Sequence, residues 1–314
     1  MTPDQLSSKI NTYLAKLIPA EPRTLYDPVR AALSSGGKRI RPMLTALSAG
    51  QAGEAEWLPA AAAVELLHAF TLVHDDIMDN AETRRGRPSL HIAFGMNAAI
   101  LSGDVIVALA TAALARAPNA GEMLAEFSAG FRAVCEGQAL DKDFEERDDV
   151  SMEEYLTMIE LKTARIFELA AALGAMANGG TNLEILRRFA REIGIAFQLQ
   201  DDLLDLTGGE SFGKTIGGDI LEGKRTTLFV LAMKSYDKCG DADRTLLDRI
   251  RERGATTDDI PLARSLFEKL GVLEETACMA AMHTENAERQ LEYLPDLQRD
   301  GLLEFSKRLL GRSV

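Results

Sequence analysis

PAAAAVELLHAFTLVHDDIMD, residues Pro59–Asp79, reads as one long helix. Its apolar residues recur at helical spacing, alanine has the best helix propensity, and its small side chain lets neighbouring helices approach closely. The stretch ends on Asp75-Asp76-x-x-Asp79. A second stretch, IAFQLQDDLLD (Ile195–Asp205), repeats the pattern: an apolar helical run, then Asp201-Asp202-x-x-Asp205. Positions i and i+4 share a helix face, so Asp75 pairs with Asp79 and Asp201 with Asp205, flanked by Asp76 and Asp202. The echo is too isolated for a solenoid repeat; it suggests two related helices facing each other.

Outward from these runs the pattern stays helical. Ala98–Ala117, Glu154–Asn178 and Leu183–Leu206 are further long helices, alternating β-branched runs are almost absent, and aromatics make up only 6% of residues, which fits a tightly packed helical body. The expected fold class is all-α. Breaks are legible: a basic loop over Asn80–His91 with Gly86 and Pro88, a turn at Ala117–Gly121, and a capping box of Ser151 with Glu154. Asn178-Gly179-Gly180 closes one helix, and Thr181 or Asn182 caps the next. Thr207–Lys224 is a glycine-rich loop of unusual length, which favours a lid over a connector. No Ser/Pro-rich linker divides residues 1–314, so one domain is expected, with plain helical scaffold from Ser235 on.

Composition narrows the function. The chain of 314 residues is 46% hydrophobic, enough for a sizeable core, and its formal charge of −13 argues against a nucleic-acid partner, which requires a basic face. Cys135, Cys239 and Cys278 lie far apart without CxxC spacing and are expected to be reduced core thiols of a cytoplasmic protein. The N-terminus carries Asp4 and reads as an amphipathic helix rather than a signal peptide. Ala98–Ala117 approaches membrane-spanning length, but Asp104 within it would cost about 2.5–3.5 kcal/mol to insert. A buried core helix is the better reading, with no membrane span.

Carboxylates crowded at the mouth of an apolar cavity resist ionisation unless cations bind. All-oxygen ligands suit a hard ion, and Mg²⁺ takes one or two carboxylates with waters and substrate phosphates. The implied ligand is a metal-bound diphosphate. Cations for its oxygens are at hand in this acidic chain: Lys38 and Arg41 in GGKRIRP, Arg84, Arg85 and Arg87 after the first cluster, then Lys162-Thr163, Lys214 and Lys224-Arg225. Gly208-x-x-x-x-Gly213-Lys214-Thr215 matches a phosphate-loop pattern literally, yet it follows a helix, not a strand, so Lys214 belongs to a lid instead. The four histidines show no zinc-ligand spacing. His68, near the first aspartates, suggests substrate contact; His74 could be either contact or core.

Taken together, GGKRIRP, ELLHAFTLVHDDIMD, RRGRPSLH, the GQALD segment (Gly137–Asp141), LKTA, FQLQDDLLD and GKTIGGDILEGKRTTL resemble the trans-prenyl diphosphate synthase family, in family order over nearly two-thirds of the chain. The resemblance implies an all-α, single-domain helical bundle around a deep central cavity, usually a homodimer. It implies Asp75, Asp79 and Asp201 as principal Mg²⁺ ligands, with Asp76, Asp202 and Asp205 supporting, and three Mg²⁺ ions with the bound diphosphate. Arg84, Lys162, Thr163, Gln198, Lys214 and Lys224 would hold the allylic diphosphate; Lys38, Arg41, His68 and Arg85 would hold isopentenyl diphosphate. One departure is Phe229, where many relatives have proline; little effect on chemistry is expected.

The reaction implied is ionisation, condensation and elimination, with electrostatic stabilisation of the leaving diphosphate. An aromatic at Phe70, beside Thr71, resembles the chain-length floor of short-to-medium chain makers. The expected product is geranylgeranyl diphosphate (C20), then farnesyl (C15) or a longer chain. Two rivals are a class I terpene cyclase, which usually has an Asn/Ser/Glu-type second motif, and a non-catalytic subunit of a heteromeric synthase, which typically loses aspartates from one cluster.

Overall fold

The computed structural model describes residues 3–34, 37–208 and 216–311. Among these, helices α1 (Pro3–Leu17), α2 (Arg23–Ser34), α3 (Ile40–Ser48) and α4 (Glu54–Met78) lead into a minimal hairpin, β1 (Thr83–Arg84) and β2 (Arg87–Pro88). There follow α5 (Leu90–Phe94), α6 (Met96–Leu114), α7 (Ala120–Glu145), α8 (Met152–Ile159), a π turn over Glu160–Ala164, α9 (Arg165–Ala177) and α10 (Leu183–Thr207). The chain closes with α11 (Gly218–Glu222), α12 (Thr227–Met233), α13 (Asp241–Arg251), α14 (Asp259–Lys269), α15 (Val272–Gln290) and α16 (Asp296–Leu310). The hairpin is the only sheet among the described residues, so the fold is all-α.

The chain divides into two compact units: residues 3–131, 166–188 and 293–305, and residues 132–165, 189–292 and 306–311. In the first, α4 packs against α3 and α6. Its run Ala60–Leu67 is wholly or nearly buried, and the alanines let α6 come close. α4 begins five residues before the expected Pro59: Glu54 and Glu56 in its first turn complement the helix dipole, and Trp57 is buried. By length and composition α4 and α6 could both cross a membrane; 67% of the apolar window of α4 is buried within the protein, against 39% for α6. Gly174 of α9 lies against α3, where an added Cβ would stand 2.2 Å from the Thr45 carbonyl oxygen.

In the second unit, Phe144, Tyr155, Met158, Ile195, Leu199 and Val230 form one apolar cluster, and Leu206, Leu228, Leu247, Ile250 and Phe267 belong to another. The Ser151–Glu154 capping box forms as expected, and Gly179 and Gly180 end α9 with positive φ. The single helix expected over Glu154–Asn178 is interrupted by the π turn. Gly137 of α7 meets it so closely that a Cβ would lie 2.3 Å from the Lys162 amide nitrogen. All three cysteines are free thiols, as expected, but only Cys239 is a core thiol; Cys135 and Cys278 are exposed.

Candidate active site

In the first unit, α4 delivers Asp75, Asp76 and the C-capping Asp79 at its C-terminal end. The three are not equivalent. Asp76 is buried and its Oδ1 accepts from Arg84 Nε at 2.7 Å, whereas Asp75 and Asp79 stay partly exposed. Arg84 comes from the hairpin, whose two-residue turn places Arg85 and Gly86 at φ 53° and 73°. Such a turn requires positive φ at both positions, and the non-glycine Arg85 accepts that strain of about 1–2 kcal/mol. Its guanidinium lies against Gly37, 3.0 Å from where a Cβ there would be.

Asp76, Arg84 and Arg85 line a cavity of about 110 Å³ with Arg39, Glu65, His68 and Arg87. Arg41 donates to His68 Nε2 at 3.1 Å and lies 4.9 Å over the Phe167 ring. Its donation assigns the imidazole proton to Nδ1, and that buried Nδ1 has no hydrogen-bond partner among the described residues. Burial holds the His68 pKa well below the usual histidine value, helped by the Arg41 and Arg85 charges. His68 is therefore a neutral donor among cations, suited to an anion's oxygen. Lys38, expected alongside, is exposed in the turn before α3. Arg39 and Glu65, which the sequence reading passed over, form an ion pair here.

Deeper along α4, Phe70 contacts His74 (ring centroids 4.2 Å) and meets Phe131 of α7 edge-on at 5.1 Å; Phe131 is 6.4 Å from Phe127. Thr71 is partly buried and its hydroxyl donates to the His68 carbonyl at 2.9 Å. His74 is seated on α6 at Gly103, where a Cβ would clash with its Nε2 at 2.1 Å.

The second unit repeats the division of labour. Asp202 is 2% exposed and its carboxylate accepts from Tyr155 Oη (2.5 Å), Gln198 Nε2 (3.0 Å) and the Thr227 N–H (3.0 Å). Burial pushes its pKa up to about 6, with the Asp219 charge adding to the rise and the three donors opposing it. Asp201 and Asp205 are partly exposed; Asp205 Oδ2 accepts from the Asp219 N–H at 3.1 Å. A cavity of about 150 Å³ is lined by Asp141, Lys162, Thr163, Gln198, Asp201, Asp202, Asp219 and Lys224. Within it Lys162 Nζ meets Asp141 at 2.5 Å, and Thr163 donates to Gln198 Oε1 at 2.9 Å, which leaves the amide nitrogen for Asp202. Lys224 pairs with Glu222 at 2.7 Å.

Arg225, grouped with Lys224 in the sequence, has a different task. It is buried and donates to the carbonyls of Arg147, Gly223 and Arg251, with its guanidinium 5.1 Å over the Phe229 ring. Phe229 also uses its N–H, donating to the Thr226 cap, which proline could not do. Lys214 lies outside the described residues.

Among the described residues no three His, Cys, Asp or Glu side chains gather into a ready-made metal cage. Mg²⁺ keeps waters and takes few protein carboxylates beside substrate phosphates. Asp75 and Asp79 in the first unit, and Asp201 in the second, are partly exposed oxygen donors of the kind such an ion takes.

An all-helical chain with two aspartate clusters and two cation-lined cavities is built to bind metal-diphosphate substrates. Residues 22–267 match the polyprenyl synthetase family, and the chain belongs to it. It is thus a prenyltransferase. A short chain isoprenyl diphosphate synthase from Methanothermobacter thermautotrophicus is 41% identical over 304 residues, 93% of this chain and 91% of that one. A geranylgeranyl diphosphate synthase from Methanosarcina mazei is 36% identical, covering 98% and 95%. A geranylfarnesyl diphosphate synthase from Natronomonas pharaonis is 34% identical, covering 94% and 92%. Among solved structures, a geranylgeranyl pyrophosphate synthase superposes with TM-score 0.92 at 35% identity over all of both chains. Another, from Corynebacterium glutamicum complexed with isoprenyl diphosphate and magnesium, gives 0.89 at 29%, covering 99% of this chain and 100% of that one.

Proposed function

We propose that the chain condenses isopentenyl diphosphate with an allylic diphosphate and releases trans geranylgeranyl diphosphate (C20), working as one catalytic module over its whole length. The observation that carries this reading is the split within each aspartate cluster. Asp76 and Asp202 are buried, while Asp75, Asp79, Asp201 and Asp205 remain partly exposed.

Asp75, Asp79 and Asp201 would hold Mg²⁺, with three ions when the diphosphate is bound. When present, the metal neutralises charge developing on the leaving diphosphate. Lys162, with Asp141 fixing its ammonium, and Lys224 take the allylic diphosphate, with Thr163 and Gln198 along the same cavity; Arg84 and Lys214 are proposed as its further cationic ligands. Lys38, Arg41, Arg85 and the Nδ1–H of His68 take isopentenyl diphosphate. As the allylic C–O bond breaks, the isopentenyl double bond attacks the allylic carbon. A proton then leaves to the departed diphosphate, giving a trans double bond. Phe70 and Thr71 form the floor that stops growth.

The protein is expected to be cytoplasmic and homodimeric. Met96, Ile100 and Leu101 of α6 are exposed apolar residues, with Ile92 and Phe94 beside them, and a second copy would cover them; sedimentation at twice the chain mass checks this. The activity is tested by supplying Mg²⁺, isopentenyl diphosphate and a C5, C10 or C15 allylic primer. Elongation that falls by about 10²–10³-fold in Asp75→Asn and Asp201→Asn is the expected result. Pyrophosphate release without elongation would instead indicate a cyclase, and no turnover with any primer a non-catalytic subunit.

A further inference from the structure

Glu65 is out of place in a pocket for an anion. It is 6% exposed, on the rigid buried part of α4, three residues before His68, and it lines the same cavity as Arg84, Arg85 and His68. A bare carboxylate there would repel a diphosphate and would itself be costly to bury. Its partner resolves the conflict. Arg39 makes an ion pair with Glu65, donates to the Leu33 carbonyl at 2.6 Å, and reaches Asn11 Oδ1 at 3.1 Å.

Arg39 sits in GGKRIRP between Lys38 and Arg41. Its backbone is left-handed, φ 46° and ψ 40°, a conformation that side-chain-bearing residues adopt only when the surroundings impose it. This residue is also the N-cap of α3: its carbonyl accepts from the Met43 N–H at 3.0 Å. Where Arg39 is held, the first turn of α3 is held, and with it Arg41, which reaches His68 and covers Phe167. The direction in which Lys38 leaves the turn is set by the same two angles.

We propose that Glu65, acting through Arg39, is a positioning residue for isopentenyl diphosphate. It locks the left-handed turn so that Lys38 and Arg41 meet the diphosphate, and it draws the intervening arginine inward, away from substrate. The inference rests on the reading of this cavity as the isopentenyl diphosphate site.

The test is steady-state kinetics on the full chain with Mg²⁺, isopentenyl diphosphate and a C15 primer. Glu65→Gln, Arg39→Gln, the double variant and Arg41→Ala are compared with the parent, with circular dichroism to confirm folding. Glu65→Gln and Arg39→Gln are each expected to raise KM for isopentenyl diphosphate by about ten- to a hundredfold. Their kcat and KM for the primer stay within about threefold, well below that misplacement effect. The double variant should be no worse than Arg39→Gln alone, because the two side chains act as one unit. If Glu65→Gln does not fold, Arg39→Lys, which keeps the charge but loses the fork, must show the same split. An unchanged or lowered KM for isopentenyl diphosphate in folded Glu65→Gln overturns the inference. So does a parallel decline of kcat and both KM values that tracks lost thermal stability. Arg41→Ala separates the two readings: if its KM for isopentenyl diphosphate is unchanged, the cavity assignment fails; if it rises while Glu65→Gln stays flat, only the positioning role fails.

Discussion

Replacing Phe70 by alanine should lengthen the product by one five-carbon unit. Phe70 stands five residues before Asp75 on α4, about 7.5 Å along the helix axis at 1.5 Å per residue. Against it, Phe131 packs at right angles with centroids 5.1 Å apart. Truncation therefore opens the space of one ring and no more, because Phe131 becomes the new floor. Each additional buried carbon gains about 0.8 kcal/mol, so a further isoprenyl unit gains at most about 4 kcal/mol. At about 1.4 kcal/mol per tenfold, the partition between release and another condensation can shift by up to about a thousandfold. The same truncation removes the ring contacts with His74 and Phe131, and because Phe70 is only partly buried the stability loss should be about 2 kcal/mol. The assay is chromatography of dephosphorylated products made from a C5 primer and excess isopentenyl diphosphate. C25 should dominate for Phe70→Ala, with longer chains appearing only in Phe70→Ala/Phe131→Ala. An active Phe70→Ala that still stops at C20, or a Phe131→Ala that lengthens the product as much by itself, refutes the floor assignment.

Gly103→Ala should destabilise the protein by about 1–3 kcal/mol through overpacking, since the new methyl meets the His74 ring; His74→Ala should recover most of that loss in a thermal-melting double-mutant cycle. Tyr155→Phe removes one of three donors to the buried Asp202 and should cost about 1–3 kcal/mol in urea unfolding. A change within error would mean that Gln198 and Thr227 suffice. Acid sensitivity should carry a contribution from Glu154. The Ser151 backbone N–H and hydroxyl, with Arg147, hold its pKa at about 2, below an unfolded value near 4.5. Its stabilisation is thus present above that unfolded value and is lost as pH falls through about 2. The stability difference between the parent and Glu154→Gln should shrink as pH is lowered from 6 toward 2; a difference that grows on acidification would contradict the assignment.

The long helices were legible because α4 and α6 announce themselves by alanine content and apolar spacing, and α10 by apolar spacing; the Ser151–Glu154 box and the Asn178-Gly179-Gly180 stop are local chemistry. The π turn at Glu160–Ala164 was not; it lies where Gly137 of another helix approaches closely, a contact that no local pattern announces. The site residues follow the same rule. An i, i+1, i+4 pattern names all six aspartates, but only their environment separates the buried Asp76 and Asp202 from the partly exposed rest. GGKRIRP offers three cations with nothing local to say which one turns inward; the left-handed backbone at Arg39 and the buried Glu65 decide it. Arg225 looked like a phosphate ligand by its charge, and two of its three carbonyl partners, Arg147 and Arg251, come from segments far away in sequence.

The most direct test of the account is mass spectrometry of the products formed by the unmodified chain from Mg²⁺, a C15 allylic diphosphate and excess isopentenyl diphosphate. One condensation followed by accumulation of C20, absent when isopentenyl diphosphate is withheld, is the predicted result. Pyrophosphate released from the C15 substrate with no elongated product, or chains that pass through C20 without pausing, would contradict it.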